Sequence, residues 1–341
     1  MAVKRVTMQE IAEACSLSRN TVSKVFNGRG TVPEVTRRLI LKKAQELGYR
    51  QLPEDMPEEP EGSRNVALLT QHKLLSHSFG AFFITSFTDM VCRSGYTMKM
   101  YEVSPEEIAE KRLPPHLDLS DTAAVLCIEL FDRTYLDMVV GLGLPCVFVD
   151  GAAHGSRSVM TCDYVSMENY AAVISMTDRM IAAGAKTIGF VGDKEHCNSF
   201  SERWTGYFAA LSLAGLAIDP LVSILDPDGE QYGDEAWLMQ KLEAMPRIPD
   251  GFVCANDYLA IHLMRALKRL GLRIPEDVMV TGFDGSPEAS VVEPKLTTAQ
   301  IQSTEIGRVA AVFLLDRVLN PQKPFRRTVE VSPVIWGGST R

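Results

Sequence analysis

The chain has 341 residues, of which 46% are hydrophobic and 23% charged. These proportions are typical of a globular protein long enough to form two or three domains. No apolar stretch reaches the roughly 18 residues of a membrane-spanning helix, and the first residues lack the apolar run of a signal peptide. The seven scattered cysteines include no C-x-x-C pair, which indicates reduced core thiols and predicts a cytoplasmic location.

The net charge of −8 hides an asymmetry along the chain. Residues 1–50 hold ten Lys and Arg against four Asp and Glu (+6), and residues 51–64 hold one against five (−4). The remaining residues hold 24 against 34 (−10). A basic head on an acidic body fits a nucleic-acid-binding head whose body stays away from phosphates.

Residues 6–28 predict two short helices joined by a tight turn. Thr7 precedes Glu10 by three residues, which is the spacing of a capping box, and Ser18 is a good N-cap for the second helix. A third helix is expected at about 34–47, ended by Gly48. The second helix has a polar outward face that suits hydrogen bonding in a DNA major groove, formed by Arg19, Asn20, Ser23, Lys24 and Asn27. The alternative is a polar-surfaced helical hairpin without a DNA partner.

From Asn65 onward, short apolar segments typical of strands alternate with amphipathic segments typical of helices. This alternation predicts parallel sheets with helices on both faces. Strands are expected at 65–70, 97–102, 123–129, 145–150, 158–163, 187–192, 221–226, 251–255 and 278–283. Helices are expected at about 80–94, 132–142, 164–183, 201–214, 232–244, 257–270 and 303–319. Ligands of such sheets bind beyond the carboxyl ends of the strands.

An α/β enzyme has the same texture and is the first alternative for the body. However, the sequence contains no G-x-G-x-x-G turn, no phosphate-binding P-loop and no G-x-S-x-G elbow. Its six histidines form no H-x-x-x-H pair and have no cysteine at a metal-ligand spacing. We therefore expect no catalytic residue, no metal and no cofactor.

The motifs of the chain, taken together, resemble the LacI/GalR (lactose/galactose-repressor) family. The head carries Val6-Thr-Met-Gln-Glu-Ile-Ala, Ser18-x-x-Thr-Val-Ser-x-Val-x-Asn-Gly and Leu47-Gly-Tyr-Arg50. The body carries Gly184-x-x-x-Ile188-Gly-Phe-Val-Gly, Glu202-Arg-Trp-x-Gly-Tyr207, Ala255-Asn-Asp-x-x-Ala260, Leu270-Gly-Leu-Arg-Ile-Pro-Glu-Asp-Val278, Gly282-Phe-Asp284 and Pro294-x-Leu-Thr-Thr298. The resemblance implies a dimeric regulator that binds operator DNA, with a two-lobed, periplasmic-binding-protein-like body that binds a small molecule, often a sugar.

For the head, the resemblance implies that Arg19 and Asn20 reach base edges, where each forms bidentate pairs. Lys24 stands where the family more often has Arg, so bidentate reading of guanine is weakened there. The positions implied as phosphate or flanking contacts are Thr7, Ser18, Ser23, Asn27, Thr31, Thr36 and Tyr49. At Thr7 and Ser18, capping of a helix is the alternative role, and both roles are compatible.

The segment 51–64 departs from the family, which usually forms a short helix here and inserts a leucine into the minor groove. In an ungapped count that leucine falls on Glu58. Pro53, Pro57 and Pro60 oppose a helix, and the flanking glutamates repel phosphate. We therefore predict an extended linker without a leucine wedge. The domains expected are a head at 1–50, this acidic linker, and a body at 65–341 with lobes of about 65–162 plus 290–322 and 163–289 plus 323–341.

For the cleft between the lobes, the resemblance implies effector contacts from Phe79, Asp150, Ser199, Arg203, Asn256 and Asp284. For Arg203 the alternative is a salt bridge within its lobe, and for Phe79 it is burial in the core. Asp163 is a further candidate. Within the A-N-D motif, Asn256 is expected to face the cleft, whereas Asp257 is expected to cap the next helix. The family's Asn-Pro before the aromatic is His77-Ser78 here, and its aromatic after the 221–226 strand is replaced near Asp228, in Leu-Asp-Pro-Asp-Gly. Loss of a stacking ring and gain of carboxylates favour a small, hydroxyl-rich ligand over a purine.

The leading hypothesis is a DNA-binding transcriptional regulator, with a repressor favoured, that is controlled by a carbohydrate-like effector. The alternatives are a small-molecule sensor whose head binds DNA weakly or non-specifically, and an α/β enzyme fused to a helical head. A single helix-turn-helix reads too few bases for genomic specificity, which supports a homodimer. The end of the chain has no heptad segment, so we expect no coiled-coil tetramer. Because no apolar stretch is long enough to span a bilayer, we also expect no membrane partner.

Overall fold

The computed structural model describes residues 6–15, 17–27, 32, 34–49, 51–52, 63–71, 78–153 and 161–341. The head contains three helices, α1 (Met8–Cys15), α2 (Arg19–Asn27) and α3 (Glu34–Leu47). Their core is built by buried apolar residues including Ile11, Val22 and Ile40. The predicted capping box is present, since the Glu10 N–H donates to Thr7 Oγ1 and the Thr7 N–H donates to Glu10 Oε2.

The first lobe of the body is built on a six-stranded, wholly parallel sheet of strand order β10-β5-β4-β3-β1-β2. Its central strands are buried along their whole length, as parallel strands covered on both faces are. The strands are β1 (Asn65–Thr70), β2 (Thr97–Glu102), β3 (Ala124–Ile128), β4 (Cys146–Val149), β5 (Asp163–Met167) and β10 (Arg327–Glu330). The helices of this lobe are α4 (Ser78–Arg93), α5 (Pro105–Glu110), α6 (Arg133–Val140) and α12 (Ser303–Leu319).

The second lobe contains a three-stranded parallel sheet of order β6-β7-β8 and a two-stranded antiparallel sheet of β9 and β11. The strands are β6 (Ile188–Val191), β7 (Gly251–Cys254), β8 (Met279–Thr281), β9 (Thr298–Ala299) and β11 (Val334–Ile335). The helices are α7 (Tyr170–Ala182), α8 (Asn198–Leu213), α9 (Glu235–Glu243), α10 (Asp257–Arg269) and α11 (Pro287–Val291). The predicted fold class, a helical head with a two-lobed parallel α/β body, is confirmed.

The prediction of a strand at 158–163 followed by a helix from 164 was wrong. Residues 154–160 lie outside the described part of the chain, and the strand runs over Asp163–Met167, with α7 beginning at Tyr170. The buried run Asp163-Tyr-Val-Ser-Met pairs with β4 on one side and with β10 on the other. Its polar members lowered its apparent strand character, although Asp163 and Ser166 are both fully buried.

The predicted lobe boundaries and the strand at 221–226 also need correction. Because β5 and β10 belong to the six-stranded sheet, residues 163–167 and 327–330 lie in the first lobe, not in the second. A 3₁₀ helix, Pro220–Val222, overlaps the start of the segment 221–226, and Ile224 forms a single bridge to Val191. Pro220 fits the first turn of that helix.

The predictions for the linker and for one head residue fall on residues outside the described part of the chain. These are the extended conformation of 53–62, including the three prolines and Glu58, and the role of Thr31. Both stay predictions. Within the described residues, no helix is both long and apolar enough to cross a bilayer.

The first lobe depends on an unusually close contact between α4 and α12. A Cβ added to Gly307 of α12 would collide with Ser86 Oγ and with the carbonyl oxygen of Phe83, both on α4. Phe83 and Phe87 are fully buried beside this contact and stack on each other, with ring centroids 5.8 Å apart. The two helices therefore behave as one packed unit.

We predict that Gly307→Ala lowers the free energy of unfolding by about 1–3 kcal/mol, because a backbone carbonyl cannot move aside and the helices must separate. This corresponds to a decrease in Tm of about 2–4 °C per kcal/mol for a domain of this size. Thr304→Ala, at an exposed position of the same helix, is the control and should leave Tm unchanged in calorimetry. An unchanged Tm for Gly307→Ala would contradict the close packing.

Candidate functional site

Three acidic residues at the ends of strands share an unusual backbone conformation. Glu129 follows β3, Asp150 follows β4 and Asp284 lies three residues after β8, and their φ angles are 48°, 58° and 117°. Only glycine adopts such angles without strain, which costs on the order of 1–3 kcal/mol elsewhere. Such strain accumulates at binding sites, where the surrounding structure enforces it. The carboxyl ends of the strands therefore mark the candidate site, between the two lobes.

The charges of these three side chains interact across the cleft. Burial and, as the smaller cause, the neighbouring Asp150 together raise the pKa of Glu129 to about 7. Burial also raises the pKa of Asp150, against the hydrogen bond from Ser199. For Asp284 burial is again the largest cause, and it raises the pKa to about 8, although the cation of Arg203 opposes it. The cleft thus concentrates carboxyl groups that are poorly compensated by positive charge.

Arg203 of α8 is the cation at the centre of this site. Its side chain is only 3% exposed, and its guanidinium carbon lies 3.7 Å from the centre of the Phe283 ring. Nε donates to Asn169 Oδ1 at 3.0 Å, and Nη1 donates to the carbonyl of Ala255 at 2.7 Å. Nη1 also lies 3.5 Å from Asp284 Oδ1. The guanidinium is therefore held rigidly, with one edge toward the carboxylate of the cleft.

Asp150 and Ser199 connect the two lobes directly. Ser199 Oγ donates to Asp150 Oδ2 at 2.5 Å, and the Ser199 N–H donates to Asp150 Oδ1 at 3.2 Å. Asp150 follows a strand of the first lobe, whereas Ser199 lies in the first turn of α8, in the second. Carboxylates are stabilised at a helix N-terminus by its N–H groups and dipole. The predicted cleft residues Asp150, Ser199, Arg203 and Asp284 thus lie in one connected region.

The helix-capping role expected for Asp257 belongs to Asn256, and Asp257 does not face the cleft. Asn256 is the N-cap of α10, and its Oδ1 accepts from the Leu259 N–H at 2.9 Å. Asp257 is 1% exposed and accepts from Thr298 Oγ1 at 2.6 Å and from the Ser286 N–H at 2.7 Å. Its pKa is raised to about 6 by burial. Asp257 therefore supports the loop around Asp284, and the free donor group of Asn256 is what remains for a ligand.

Two other predicted cleft residues have different outcomes. Phe79 lines a cavity of about 500 Å³ together with Asp284, Gln300 and Trp336. Asp163 is not a cleft residue, because it is fully buried at the start of β5. Arg317 Nε lies 2.9 Å from its Oδ2, so its carboxylate is held in a structural ion pair of the first lobe.

Glu129 and Asn169 are site residues that sequence reasoning missed. Glu129 was assigned to the end of the 123–129 strand, although its position directly after the buried β3 is the same signal that identified Asp150. Asn169 carried no signal of its own, since its role depends on the position of Arg203 in the fold. Its Nδ2 also donates to Glu202 Oε2 at 2.8 Å, so it holds both neighbours on α8.

Aromatic side chains from other segments lie near Asp228, although the segment around Asp228 lacks the aromatic residue that the family has there. The Phe131 ring meets His196 edge-on at 5.0 Å between centroids, and His196 lies 5.2 Å from Phe200. His196 Nδ1 is 3.6 Å from Asp228 Oδ2. Phe131 follows a first-lobe strand, while His196 and Phe200 belong to the second lobe. These rings come from elements other than the 221–226 segment and supply apolar surface between the lobes. The loss of a ring that stacks on the ligand stays a prediction.

The candidate DNA-binding residues that the structure describes lie on or beside the three predicted helices of the head. Arg19, Asn20 and Lys24 are exposed on α2, while Val22 and Val25 of the same helix face the head core. Three of the other candidates also make local contacts. The Thr21 N–H donates to Ser18 Oγ at 3.1 Å, and Asn27 Nδ2 donates to Ser23 Oγ at 2.9 Å. The ring centroids of Tyr49 and Phe26 are 4.9 Å apart. Thr36 is half-buried on α3.

Two family models match the chain. The model of bacterial regulatory proteins of the lacI family matches residues 7–51, and the periplasmic binding protein-like domain matches residues 177–340. The HTH-type transcriptional repressor PurR of Pasteurella multocida (strain Pm70) is 25% identical over 336 residues, and the match covers 96% of each chain. The HTH-type transcriptional regulator CelR of Thermobifida fusca is 28% identical over 338 residues, with the same coverage.

Solved structures of transcriptional regulators also match the chain. The transcriptional regulator CelR–cellobiose complex matches with a TM-score of 0.73 and 26% identity, covering 98% of this chain and 100% of that one. The Lac repressor dimer bound to operator and the anti-inducer ONPF matches with a TM-score of 0.70 and 20% identity over 99% of each chain, and this likeness concerns the fold.

A helix-turn-helix head with a two-lobed, periplasmic-binding-protein-like body defines a DNA-binding transcriptional regulator and not an enzyme. The chain belongs to the LacI/GalR family of these regulators.

Proposed function

We propose that this regulator binds operator DNA as a cytoplasmic homodimer and that a small, hydroxyl-rich effector in the interlobe cleft controls its operator affinity. The observation that carries the proposal is the convergence of Glu129, Asp150 and Asp284 with the buried Arg203 between the lobes. Carboxylates accept hydrogen bonds from hydroxyl groups, and guanidinium donates to them. A ligand that contacts both lobes favours one arrangement of the lobes, and it shifts the equilibrium by its differential affinity.

The chemistry of the cleft favours neutral, hydroxyl-rich ligands over anions. Two of its carboxyl groups have pKa values raised to about 7 and 8, mainly by burial, which supports a cleft where additional negative charge is unfavourable. A phosphate or carboxylate on the ligand would increase that repulsion. The relative CelR is described in complex with cellobiose, which supports a sugar. The relatives PurR and CytR are named repressors, which favours repression over activation.

The effector is tested by thermal-shift measurements on the full chain with matched probes. Cellobiose and glucose represent neutral sugars, glucuronate and glucose 6-phosphate represent anions, and hypoxanthine represents purines. A ligand at about 100 times its Kd stabilises the folded state by roughly 2.7 kcal/mol, which is a shift of several degrees. We expect shifts from neutral sugars. Binding of hypoxanthine alone would contradict the hydroxyl-rich class, and binding of the anions alone would contradict the preference for neutral ligands. Neither result bears on DNA binding.

We predict that Arg19→Ala and Asn20→Ala each weaken specific operator binding by roughly tenfold or more per half-site, because a bidentate base contact contributes about 1–3 kcal/mol of discrimination. The operator is first selected from random DNA with the full chain, and affinities are then measured by fluorescence anisotropy. The affinity of both variants for non-specific DNA should change far less. Gln45→Ala, exposed on α3, is the control. Equal loss on specific and non-specific DNA would assign these side chains to phosphate contacts.

A further inference from the structure

The head is packed against the first lobe of the body. Met90, near the end of α4, contacts the apolar core of the head. Arg93, at the last residue of the same helix, donates from Nη1 to the carbonyl of Ala14 at 3.3 Å. That carbonyl belongs to the last turn of α1, where the terminal carbonyls of a helix lack intrahelical partners. A cation at this end also complements the helix dipole.

A second helix of the head takes part in the same contact. Helix α3 lies against α12, and the Nζ atom of Lys42 lies beside the turn that follows α4, 3.1 Å from where a Cβ on Gly95 would be. Because α4 and α12 are packed as one unit at Gly307, they present one continuous surface to the head. We call this surface, formed by Met90, Arg93 and the adjoining part of α12, the head seat.

The seat leaves the DNA-reading surface accessible. The contacts with the body come from α1 and α3, whereas α2 carries Arg19, Asn20 and Lys24, which are exposed. A seated head can therefore bind a major groove without leaving the body. The contact is compatible with DNA binding and restricts the direction in which α2 points.

The seat is also connected to the effector cleft through rigid elements. Phe79 in the first turn of α4 and Ser303 at the start of α12 line the same cavity as Asp284. From Phe79 to Met90 the helix rises about 16 Å at 1.5 Å per residue. One end of the α4–α12 unit thus borders a cavity that is also lined by the cleft residue Asp284, and the other end holds the head.

We propose that docking on the head seat, rather than the linker, sets the orientation of the DNA-binding head. The inference rests on the proposed function, since it concerns how two heads of a dimer meet an operator. Heads held on a flexible tether reach half-sites over a range of separations, because effective concentration varies slowly with tether span. Heads fixed on rigid bodies accept one separation, and each added base pair rotates the half-site by about 34° and shifts it by about 3.4 Å.

The test measures how affinity depends on half-site separation in the full-length dimer. An operator is selected from random DNA, and variants with one to three base pairs inserted or deleted between the half-sites are prepared. For the natural chain we expect roughly tenfold or greater loss of affinity at a change of about two base pairs. Met90→Lys and Arg93→Ala release the head, so the loss should shrink to about threefold or less, while affinity for the best operator also falls.

Arg308→Ala is the matched control, because Arg308 pairs with an acidic residue of its own helix, Glu305, as Arg93 pairs with Asp89. It should keep the sharp dependence. The thermal unfolding of each variant reports whether the body is folded, and Arg93→Ala serves if Met90→Lys misfolds. If no DNA sequence is enriched, the proposed function fails. If the natural chain binds a specific sequence but tolerates all separations, the head seat is overturned and the proposed function stands.

Discussion

Replacing Arg203 with methionine should abolish effector binding and lower the free energy of unfolding by about 3 kcal/mol. Methionine retains much of the side-chain volume but donates no hydrogen bond. The change therefore leaves the carbonyl of Ala255 and the Oδ1 atom of Asn169 without the donors that they have now, at 2.7 and 3.0 Å. Unsatisfied buried acceptors each cost about 1–3 kcal/mol.

The effect on the effector has a separate cause. Arg203 is the cation that lies nearest to Asp284 and that opposes the rise of its pKa. Without it, the carboxyl of Asp284 is more fully protonated at neutral pH and accepts fewer hydrogen bonds from a ligand. Loss of the thermal shift that a neutral sugar produces is therefore expected even where the variant is folded.

Arg308→Ala is the control that removes an arginine outside the cleft. Its partner Glu305 is on the surface, and both side chains are 43% exposed, so the pair contributes little to stability. We expect a change in Tm within experimental error for Arg308→Ala and a decrease of several degrees for Arg203→Met. If Arg203→Met keeps the full ligand-induced shift, the guanidinium does not take part in binding.

The sequence predicted the central cleft residues because their positions follow from strand ends. Asp150 and Asp284 come after buried apolar strands, and parallel strands bring such residues to one edge of the sheet. That Asn256 and not Asp257 caps the helix was not predictable in this way. Both side chains are suited to cap a helix, and the choice was decided by Thr298, a residue 41 positions later that donates to Asp257.

The errors in the fold have a similar origin. Strand β10, Arg327-Thr-Val-Glu, is a half-exposed edge strand whose composition resembles a loop, and it is recognisable only through its pairing with β5. Strand β5 itself begins with a buried acid that needs Arg317, about 150 residues away in the chain. Local pattern reading cannot detect an ion pair that depends on such distant partners.

The head seat belongs to the same class of feature. Met90 and Arg93 lie in a helix that the sequence predicted, but nothing in their local pattern indicates that their partner is the head. The acidic, proline-rich segment 51–64 instead suggested a head isolated from the body. A direct contact between α1, α3 and the first lobe removes the need for an ordered linker to orient the head.

Asp284→Asn should raise the stability of the protein at alkaline pH and should leave it nearly unchanged in acid. The pKa of Asp284 is raised to about 8 in the folded chain, by burial first and then by the nearby Asp257 and Glu129, against about 3.9 in an unfolded chain. Between these values the folded state binds more protons than the unfolded state, so the free energy of unfolding falls as pH rises. The loss begins near pH 4 and is complete above about pH 8.

Asparagine removes this loss because it stays neutral and retains a carbonyl acceptor for Arg203. The difference in Tm between Asp284→Asn and the natural chain should therefore grow from pH 4.5 to 8.5 and then become constant. Glu129→Gln should show the same sign over a narrower window, since its pKa is raised only to about 7. Asp277→Asn is the control, because Arg273 lowers the pKa of Asp277 to about 2 and it does not titrate in this range.

Ligand binding tests whether the carboxyl of Asp284 serves the effector although it lowers stability at alkaline pH, because Asp284→Asn should then change the two properties in opposite directions. The ionised carboxylate of Asp284 accepts hydroxyl hydrogen bonds, so a neutral sugar should bind the natural chain more tightly at pH 8.5 than at pH 6, with release of protons that calorimetry in two buffers measures. Asp284→Asn should be more stable at pH 8.5 yet bind the sugar more weakly, without proton release. A stability difference that is flat from pH 4.5 to 8.5 would show that Asp284 is ionised throughout, and the cleft would then be free to accept a cationic ligand.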